Sequence, residues 1–264
     1  MSDIHEKIKR HAIGAIRYTM VHYLSAELKL YVVNEYPKSG GTWFGQMLAQ
    51  ALDVPFPRNT FPVLRSSIMH GHYIDPKGMK NVVVVWRDGR DVMVSLYHHC
   101  LFKNERANAD LVAATRKDLN FKDYLNVTDN LSSFIEYAFT RQRYPRFSWA
   151  DFVTTWHGRE GVTYVRYEDL RQRTASELQR VVFQLNGRIL PQEKAQAIAD
   201  EFSFARQSGR QPGQEKVGSF MRKGVVGDWR NVFNAEARKV FNDVAGKALI
   251  VAGYEKDSNW VFEE

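Results

Sequence analysis

The sequence is poor in cysteine and in long apolar runs, and each shortage excludes a class of protein. Cys100 is the single cysteine among 264 residues, which excludes an internal disulfide and a multi-cysteine metal cluster and suits a reducing compartment. No uncharged apolar stretch approaches the ~18 to 20 residues that span a bilayer. The N-terminus also lacks the basic start, apolar middle and small-residue cleavage site of a signal peptide. We therefore expect a cytoplasmic protein without a transmembrane segment.

The sequence also lacks internal repeats, low-complexity segments and Pro/Gly/Ser-rich linkers, which predicts a single domain over residues 1–264. Hydrophobic residues make up 44% and charged residues 25%, the composition of an ordinary globular protein. The 37 Lys and Arg exceed the 30 Asp and Glu by seven, and this excess favours an anionic partner. The positive charges are spread along the chain rather than clustered, so we expect no nucleic-acid partner.

Apolar patterning predicts an α/β fold. The run at 81–86 lacks polar alternation, which indicates a strand buried on both faces. Strands are also predicted at 30–33 and 162–167, and helices at 46–52, from 88 or 91 to about 101, and at 175–185. This alternation is typical of an open, mainly parallel sheet flanked by helices. Residues 1–29 form a predicted helical extension that packs on the core. Weak contact of 3–28 with a membrane surface is the alternative.

A glycine-rich loop with the sequence Tyr-Pro-Lys-Ser-Gly-Gly-Thr-Trp follows the first strand at 36–43. Gly40 and Gly41 allow successive N–H groups to converge, and the next helix adds its positive N-terminal end. Lys38 contributes a charge, while Ser39 and Thr42 contribute hydroxyls. The loop is P-loop-like, but its lysine precedes the glycines, so it is not a Walker motif. It predicts a phosphate or sulfate site, with a simple glycine-rich turn as the alternative.

Two more segments carry cations suited to phosphate. Arg87 ends the second strand, and Ser95 lies eight residues further, about two helical turns along. An arginine fork with a hydroxyl is a good phosphate receptor. Near the C-terminus, Arg222 and Lys223 precede Gly224, where the backbone can approach a ligand closely. A solvated basic turn is the alternative for this third segment.

Taken together, the three segments resemble the PAPS-dependent sulfotransferases, closest to the cytosolic type, over roughly residues 30–235. PAPS is 3′-phosphoadenosine 5′-phosphosulfate. The glycine-rich loop resembles the family's 5′-phosphosulfate loop, which usually has Thr where this chain has Gly41. Arg87 with Ser95 is similar to the family's 3′-phosphate strand and helix. Arg222-Lys223-Gly224, followed by Val-Val-Gly-Asp-Trp, resembles the segment that closes on the 3′-phosphate.

The resemblance implies transfer of a sulfuryl group to a hydroxyl or amine, leaving adenosine 3′,5′-bisphosphate (PAP), with no metal. It implies that Trp43 and Phe204 sandwich the adenine, that Tyr167 meets an adenine nitrogen, and that Ser203 belongs to the same cofactor-binding motif. Lys38 would hold the leaving phosphate. Core packing is the alternative for each aromatic residue.

The segment His70-Gly71-His72 lies where the family has Lys-Thr-His. By this register His72 matches the catalytic base, and His70 takes the position of the lysine. A neutral imidazole does not replace a permanent cation, so His70 is a departure and also the alternative base. The ordinary pKa of histidine, ~6.5, suits a base at neutral pH.

The segment after Trp229 departs from the family's dimer motif. Asn234 and Ala235 replace Thr-Val, and Lys239 replaces Glu, so the resemblance does not predict the oligomeric state. Asn234 and Asp88 are instead predicted helix N-caps. The acceptor, a small molecule or lipid, is not readable, and residues 102–148 show no assignable pattern. The rival functions are a P-loop-type nucleotide kinase and a non-catalytic anion-binding module.

Overall fold

The computed structural model describes residues 2–58, 60–105 and 108–262, with the side chains of 2–10 outside the description. The strands are β1 (Tyr31–Glu35), β2 (Ile68–Gly71), β3 (Val82–Trp86) and β4 (Val162–Arg166). The helices are α1 (Ser2–Tyr23), α2 (Gly41–Leu52), α3 (Gly89–Leu101), α4 (Ala109–Asp118), α5 (Val127–Thr140), α6 (Trp149–Trp156), α7 (Tyr167–Gln172), α8 (Thr174–Asn186), α9 (Gln192–Glu201), α10 (Phe204–Ser208) and α11 (Ala235–Val251). Short 3-10 helices cover Asp228–Asn231 and Ser258–Phe262.

The four strands form one parallel sheet in the order β2-β1-β3-β4. This confirms the predicted α/β class, and the three predicted strands agree with β1, β3 and β4 to within two residues. Strand β2 was not predicted, because its four residues include His70 and Gly71 and form no apolar run. Its register places Val33 of β1 opposite both His70 and Val83.

The chain forms two compact units. The sheet unit comprises Met1–Glu35, Ser39–Trp86 and Gly158–Phe202, and the helical unit comprises Tyr36–Lys38, Arg87–His157 and Ser203–Glu264. Strand β3 is buried along its whole length, as its run of valines requires. The expectation of one domain over 1–264 stays a prediction.

The described end of α1 packs on the sheet unit. Met20 and Val21 are buried, and Arg17 donates hydrogen bonds to the carbonyl oxygens of Pro57 at 2.9 Å and His70 at 3.2 Å. Tyr23, the last residue of α1, is 71% exposed, so this position of the helix faces away from the packed side. No helix among the described residues is long and apolar enough to cross a membrane.

Helix caps in the helical unit match their sequence signals. The Asp88 side chain accepts a hydrogen bond from the Arg90 N–H at 2.9 Å at the start of α3. Asn234 accepts one from the Ala237 N–H at 2.8 Å at the start of α11. Both predicted N-caps are confirmed. The previously unassigned stretch 102–148 contains α4 and α5, and the predominantly apolar side of α5 is buried.

Candidate functional site

The glycine-rich loop leads from β1 into α2 through two left-handed residues. Lys38 has φ 75° and Gly40 has φ 97°, a combination that turns the backbone sharply before α2 begins at Gly41. Ser39 and Thr42 are buried. In the sheet unit the Tyr167 ring lies directly against Gly40, where a Cβ atom would stand 2.7 Å from the ring's Cδ2. Only glycine fits both the left-handed φ and this close approach.

Trp43 and Tyr167 lie together beside the loop in the sheet unit. Their rings meet edge to face at 6.0 Å, and Trp43 Nε1 donates a hydrogen bond to the Phe202 carbonyl oxygen at 2.7 Å. The Arg171 guanidinium lies 5.8 Å from the Trp43 ring. Tyr167 is the first residue of α7 at the carboxyl end of β4, the edge where parallel sheets bind ligands.

The two histidines meet a buried carboxylate that sequence analysis missed. His70 Nε2 lies 2.9 Å from Glu35 Oε1, His72 Nδ1 lies 2.9 Å from the Glu35 carbonyl oxygen, and the two rings are 5.3 Å apart. The Gly41 N–H donates to Glu35 Oε2 at 2.5 Å. Glu35 ends β1, and His70 lies in β2 beside it. Neighbouring strands therefore join groups that are 35 residues apart in sequence, and no local motif signals that contact.

Burial and charge set the protonation of this cluster. Burial, together with the nearby His70 and Arg58, lowers the pKa of His72 to about 4, while Glu35 opposes the shift. Burial also works to raise the pKa of Glu35, but the hydrogen bond from His70, the charges of both histidines and the Gly41 N–H hold it below its ordinary value. At neutral pH, His72 is therefore neutral and Glu35 is ionised.

The same three side chains form a candidate set of metal ligands that sequence analysis did not foresee. One ligand atom from each of Glu35, His70 and His72 lies within 4.8 Å of the others. His70 Nε2 and Glu35 Oε1 are hydrogen-bonded to each other, so a metal ion would have to break that hydrogen bond.

In the helical unit, Lys38 and Arg87 lie together. Arg87 Nη1 donates to the Lys38 carbonyl oxygen at 2.9 Å, and Arg87 Nη2 lies 3.8 Å from Asp91 Oδ2. The Lys38 ammonium lies 3.9 Å from the centre of the Phe220 ring. Asp91 also accepts from the Gly227 N–H at 2.8 Å. The C-terminal basic segment is thus tied to the first turn of α3.

The two cations predicted to bind the 3′-phosphate near the C-terminus, Arg222 and Lys223, have carboxylate partners. Arg222 pairs with Asp228 at 2.5 Å and with Glu215 at 2.6 Å, and Lys223 pairs with Asp228 at 2.6 Å. Burial works to raise the pKa of Asp228, but the hydrogen bonds from Lys223 and Arg222 hold it at about 2. His98 on α3 lies 3.8 Å from Glu215, and burial, with Arg222 nearby, lowers its pKa to about 4.

Phe204 and Gly224 meet in the helical unit. Gly224 has φ +65°, and a Cβ atom there would overlap the Phe204 ring. The Arg210 guanidinium lies 5.3 Å from the centre of that ring. Phe204 is buried, and Ser203 is the residue that precedes α10. Ser95 is half-buried on α3. Their predicted contacts with a cofactor stay predictions.

Comparisons of this chain with known proteins agree on one family. The profile described as "Sulfotransferase domain" matches residues 60–251. The chain is 23% identical to Sulfotransferase 1A1 of Canis lupus familiaris, over 80% of each chain. It is also 23% identical to the Amine sulfotransferase of Oryctolagus cuniculus, over 79% of this chain and 77% of that one.

A solved structure shares the fold. The crystal structure of mouse sulfotransferase SULT7A1 complexed with PAP superposes with a TM-score of 0.58 at 20% identity, covering 86% of this chain and 89% of that chain. The family profile matches well over half of the sequence, and the fold agrees with that match. The chain therefore belongs to the sulfotransferase family, enzymes that transfer a sulfuryl group to an acceptor.

Proposed function

We propose that this sulfotransferase takes the sulfuryl group from PAPS and transfers it in line to a hydroxyl or amine, leaving PAP. The observation that carries the proposal is the loop at 36–43, where two left-handed residues precede the N-terminus of α2. That backbone presents N–H groups and a helix end to an anion, except for the Gly41 N–H, which donates to Glu35 Oε2 at 2.5 Å. The solved relative complexed with PAP supports the same donor.

Each end of the donor has its own proposed contacts. Lys38, Ser39, Gly40, Gly41 and Thr42 hold the 5′-phosphosulfate. The 3′-phosphate contacts are Arg87, Ser95, Arg222, Lys223 and Gly224. The adenine contacts are Trp43, Tyr167, Ser203 and Phe204. When the 3′-phosphate binds Arg222 and Lys223, it competes with the carboxylates of Asp228 and Glu215 that these cations already contact.

Catalysis consists of positioning, proton removal and charge stabilisation. His72 accepts the acceptor's proton as the new S–O or S–N bond forms and the bond from sulfur to the bridging phosphate oxygen breaks. Lys38 and the loop N–H groups stabilise the charge that develops on the leaving phosphate. His72 suits this role because its Nδ1 lies at the Glu35 carbonyl oxygen and its pKa near 4 keeps it neutral at pH 7.

The acceptor is proposed to be a small molecule or lipid, in the cytoplasm. Two large aromatic side chains of the helical unit, Phe134 and Trp149, are buried and serve the core. A cavity beside Phe134 has a volume of about 10 Å³, which is room for roughly one water molecule. The acceptor therefore binds elsewhere, and screening hydroxyl and amine compounds with labelled PAPS would identify its class.

Calorimetric titration with PAP and AMP tests the donor assignment. Lys223→Met is expected to weaken PAP binding about 10- to 100-fold, the loss of one charge-assisted hydrogen bond, and to leave AMP binding unchanged. Lys239→Met, an exposed residue of the same unit, makes the same charge change and is expected to alter neither. Equal losses of PAP and AMP binding in Lys223→Met would remove the 3′-phosphate assignment. Magnesium-dependent ATP turnover would replace the proposal with a kinase.

His72→Ala tests the base. The variant is expected to bind PAP as the native chain does and to lose ~10²- to 10⁴-fold in kcat, the usual contribution of a general base. His70→Ala serves as the comparison. If His72→Ala keeps full turnover while His70→Ala does not, His70 is the base.

A further inference from the structure

We infer that Glu35 is the positioning residue of the histidine pair, acting on both imidazoles and on the N-terminus of α2. The inference rests on the proposed function, because it assigns a role around its base. No motif of the sequence pointed to Glu35, and it contacts no reacting atom in the proposed scheme. It acts through His70, His72 and Gly41.

The side chain of Glu35 holds His70 in one tautomer. An ionised carboxylate only accepts hydrogen bonds. Glu35 Oε1 lies 2.9 Å from His70 Nε2 and Oε2 takes the Gly41 N–H at 2.5 Å, so each oxygen has its own donor. His70 Nε2 therefore carries a proton, and the ring is oriented by a buried carboxylate.

The main chain of Glu35 holds His72 in the tautomer that a base needs. A carbonyl oxygen also only accepts, so the 2.9 Å contact from His72 Nδ1 to the Glu35 carbonyl oxygen places the proton on Nδ1. The lone pair then lies on Nε2, the atom left to receive the acceptor's proton. One residue thus sets the tautomer of both rings, through its side chain and through its backbone.

Gly41 and His70 both contact the carboxylate of Glu35. A Cβ atom at Gly41 would lie 2.7 Å from Glu35 Cδ, closer than side-chain carbon atoms pack. Any larger residue at position 41 would therefore collide with the carboxylate. His70 supplies the N–H that the other oxygen of the same carboxylate accepts.

The first experiment compares Glu35→Gln with Glu177→Gln in the full chain. Glu177 is another buried glutamate of the sheet unit, paired with Arg180 at 2.6 Å. Glu35→Gln is expected to lower kcat about 10- to 100-fold, part of what a general base supplies. The KM for PAPS should stay within about twofold. Glu177→Gln should lose stability at most, with kcat and KM unchanged.

The second experiment is a stability cycle between Glu35 and Gly41, read by thermal unfolding. Gly41→Ala is expected to lower Tm in the native chain, because the added Cβ meets the carboxylate. In the Glu35→Ala background the same change should be neutral or stabilising, since alanine favours a helix more than glycine does. Equal Tm changes in the two backgrounds would overturn the proposed contact.

The outcomes separate this inference from the proposed function. If His72→Ala keeps turnover, the proposed base is wrong, whatever the cycle shows. If His72→Ala loses turnover but Glu35→Gln leaves kcat unchanged, the positioning role alone is wrong. Glu35→Asp keeps the negative charge on a side chain that is one methylene shorter. If this variant regains part of the kcat lost in Glu35→Gln, the carboxylate itself is required for the positioning role.

Discussion

Gly40→Ala separates two costs at the glycine-rich loop. Gly40 has φ 97°, and the left-handed region costs a residue with a Cβ about 1–2 kcal/mol. The new Cβ would also stand 2.7 Å from Tyr167 Cδ2, about 1 Å closer than carbon atoms pack. Such overpacking typically costs about 1–3 kcal/mol. Together, about 2–5 kcal/mol of unfolding free energy should be lost.

Gly187→Ala is the matched control for the backbone cost. Gly187 lies in the same unit, has φ +72° and would bring its Cβ within 4 Å of nothing. It should lose only the backbone cost of about 1–2 kcal/mol. In a chain of this size each kcal/mol lowers Tm by about 2–4 °C, so scanning calorimetry resolves the difference.

Binding of PAP supplies the second readout for this pair. Gly40→Ala displaces the Tyr167 ring, a proposed adenine contact, so its affinity for PAP should fall, whereas Gly187→Ala should bind PAP as the native chain does. The reasoning is refuted if both variants lose the same Tm and both keep full affinity. A Tm loss in Gly40→Ala with intact PAP binding would retain the steric argument and remove Tyr167 from the donor site.

Three other predictions concern pH, stability and metal. The pKa of His72 is about 4 in the folded chain against an ordinary value of 6.5. As the pH falls, His72 is therefore protonated at a higher pH in the unfolded chain than in the folded chain. Stability should therefore be complete above pH 6.5 and fall by on the order of 2–3 kcal/mol as the pH approaches 4, and urea unfolding of His72→Gln should lack this slope. Asp88→Ala removes the cap of α3 and a carboxylate 2.8 Å from the buried Arg90. It should cost about 1–3 kcal/mol in urea, because Arg90 keeps its pairing with Glu255 at 2.5 Å, and Asp88→Asn should cost less because it keeps a capping oxygen. Treatment with EDTA should leave turnover unchanged, because the proposed donor contacts are cations and N–H groups. If EDTA abolishes turnover and added Zn²⁺ restores it, Glu35, His70 and His72 are metal ligands instead.

Much of the fold was predictable from short-range patterns. The unbroken run of valines in β3 predicted a strand buried on both faces, and Asp88 and Asn234 predicted the starts of α3 and α11. These signals are local, since a cap or an apolar run depends on residues only a few positions apart. Strand β2 escaped prediction because four residues pairing with β1 leave no periodic signal.

The sequence also predicted a phosphate or sulfate site at 36–43, because such a turn requires particular residue types in a particular order, and it predicted His72 as the base. Both assignments stay predictions. The partners of those residues were not readable. Glu35 against Gly41 and His70, and Asp228 between Arg222 and Lys223, are charge pairings, and a charge pairing carries no periodicity. Residue identities alone determined which groups have the charge or the lone pair to bind an anion or to accept a proton. Only the folded chain decided which carboxylates those groups meet, because buried charges interact through distance and desolvation, and both arise when distant segments pack.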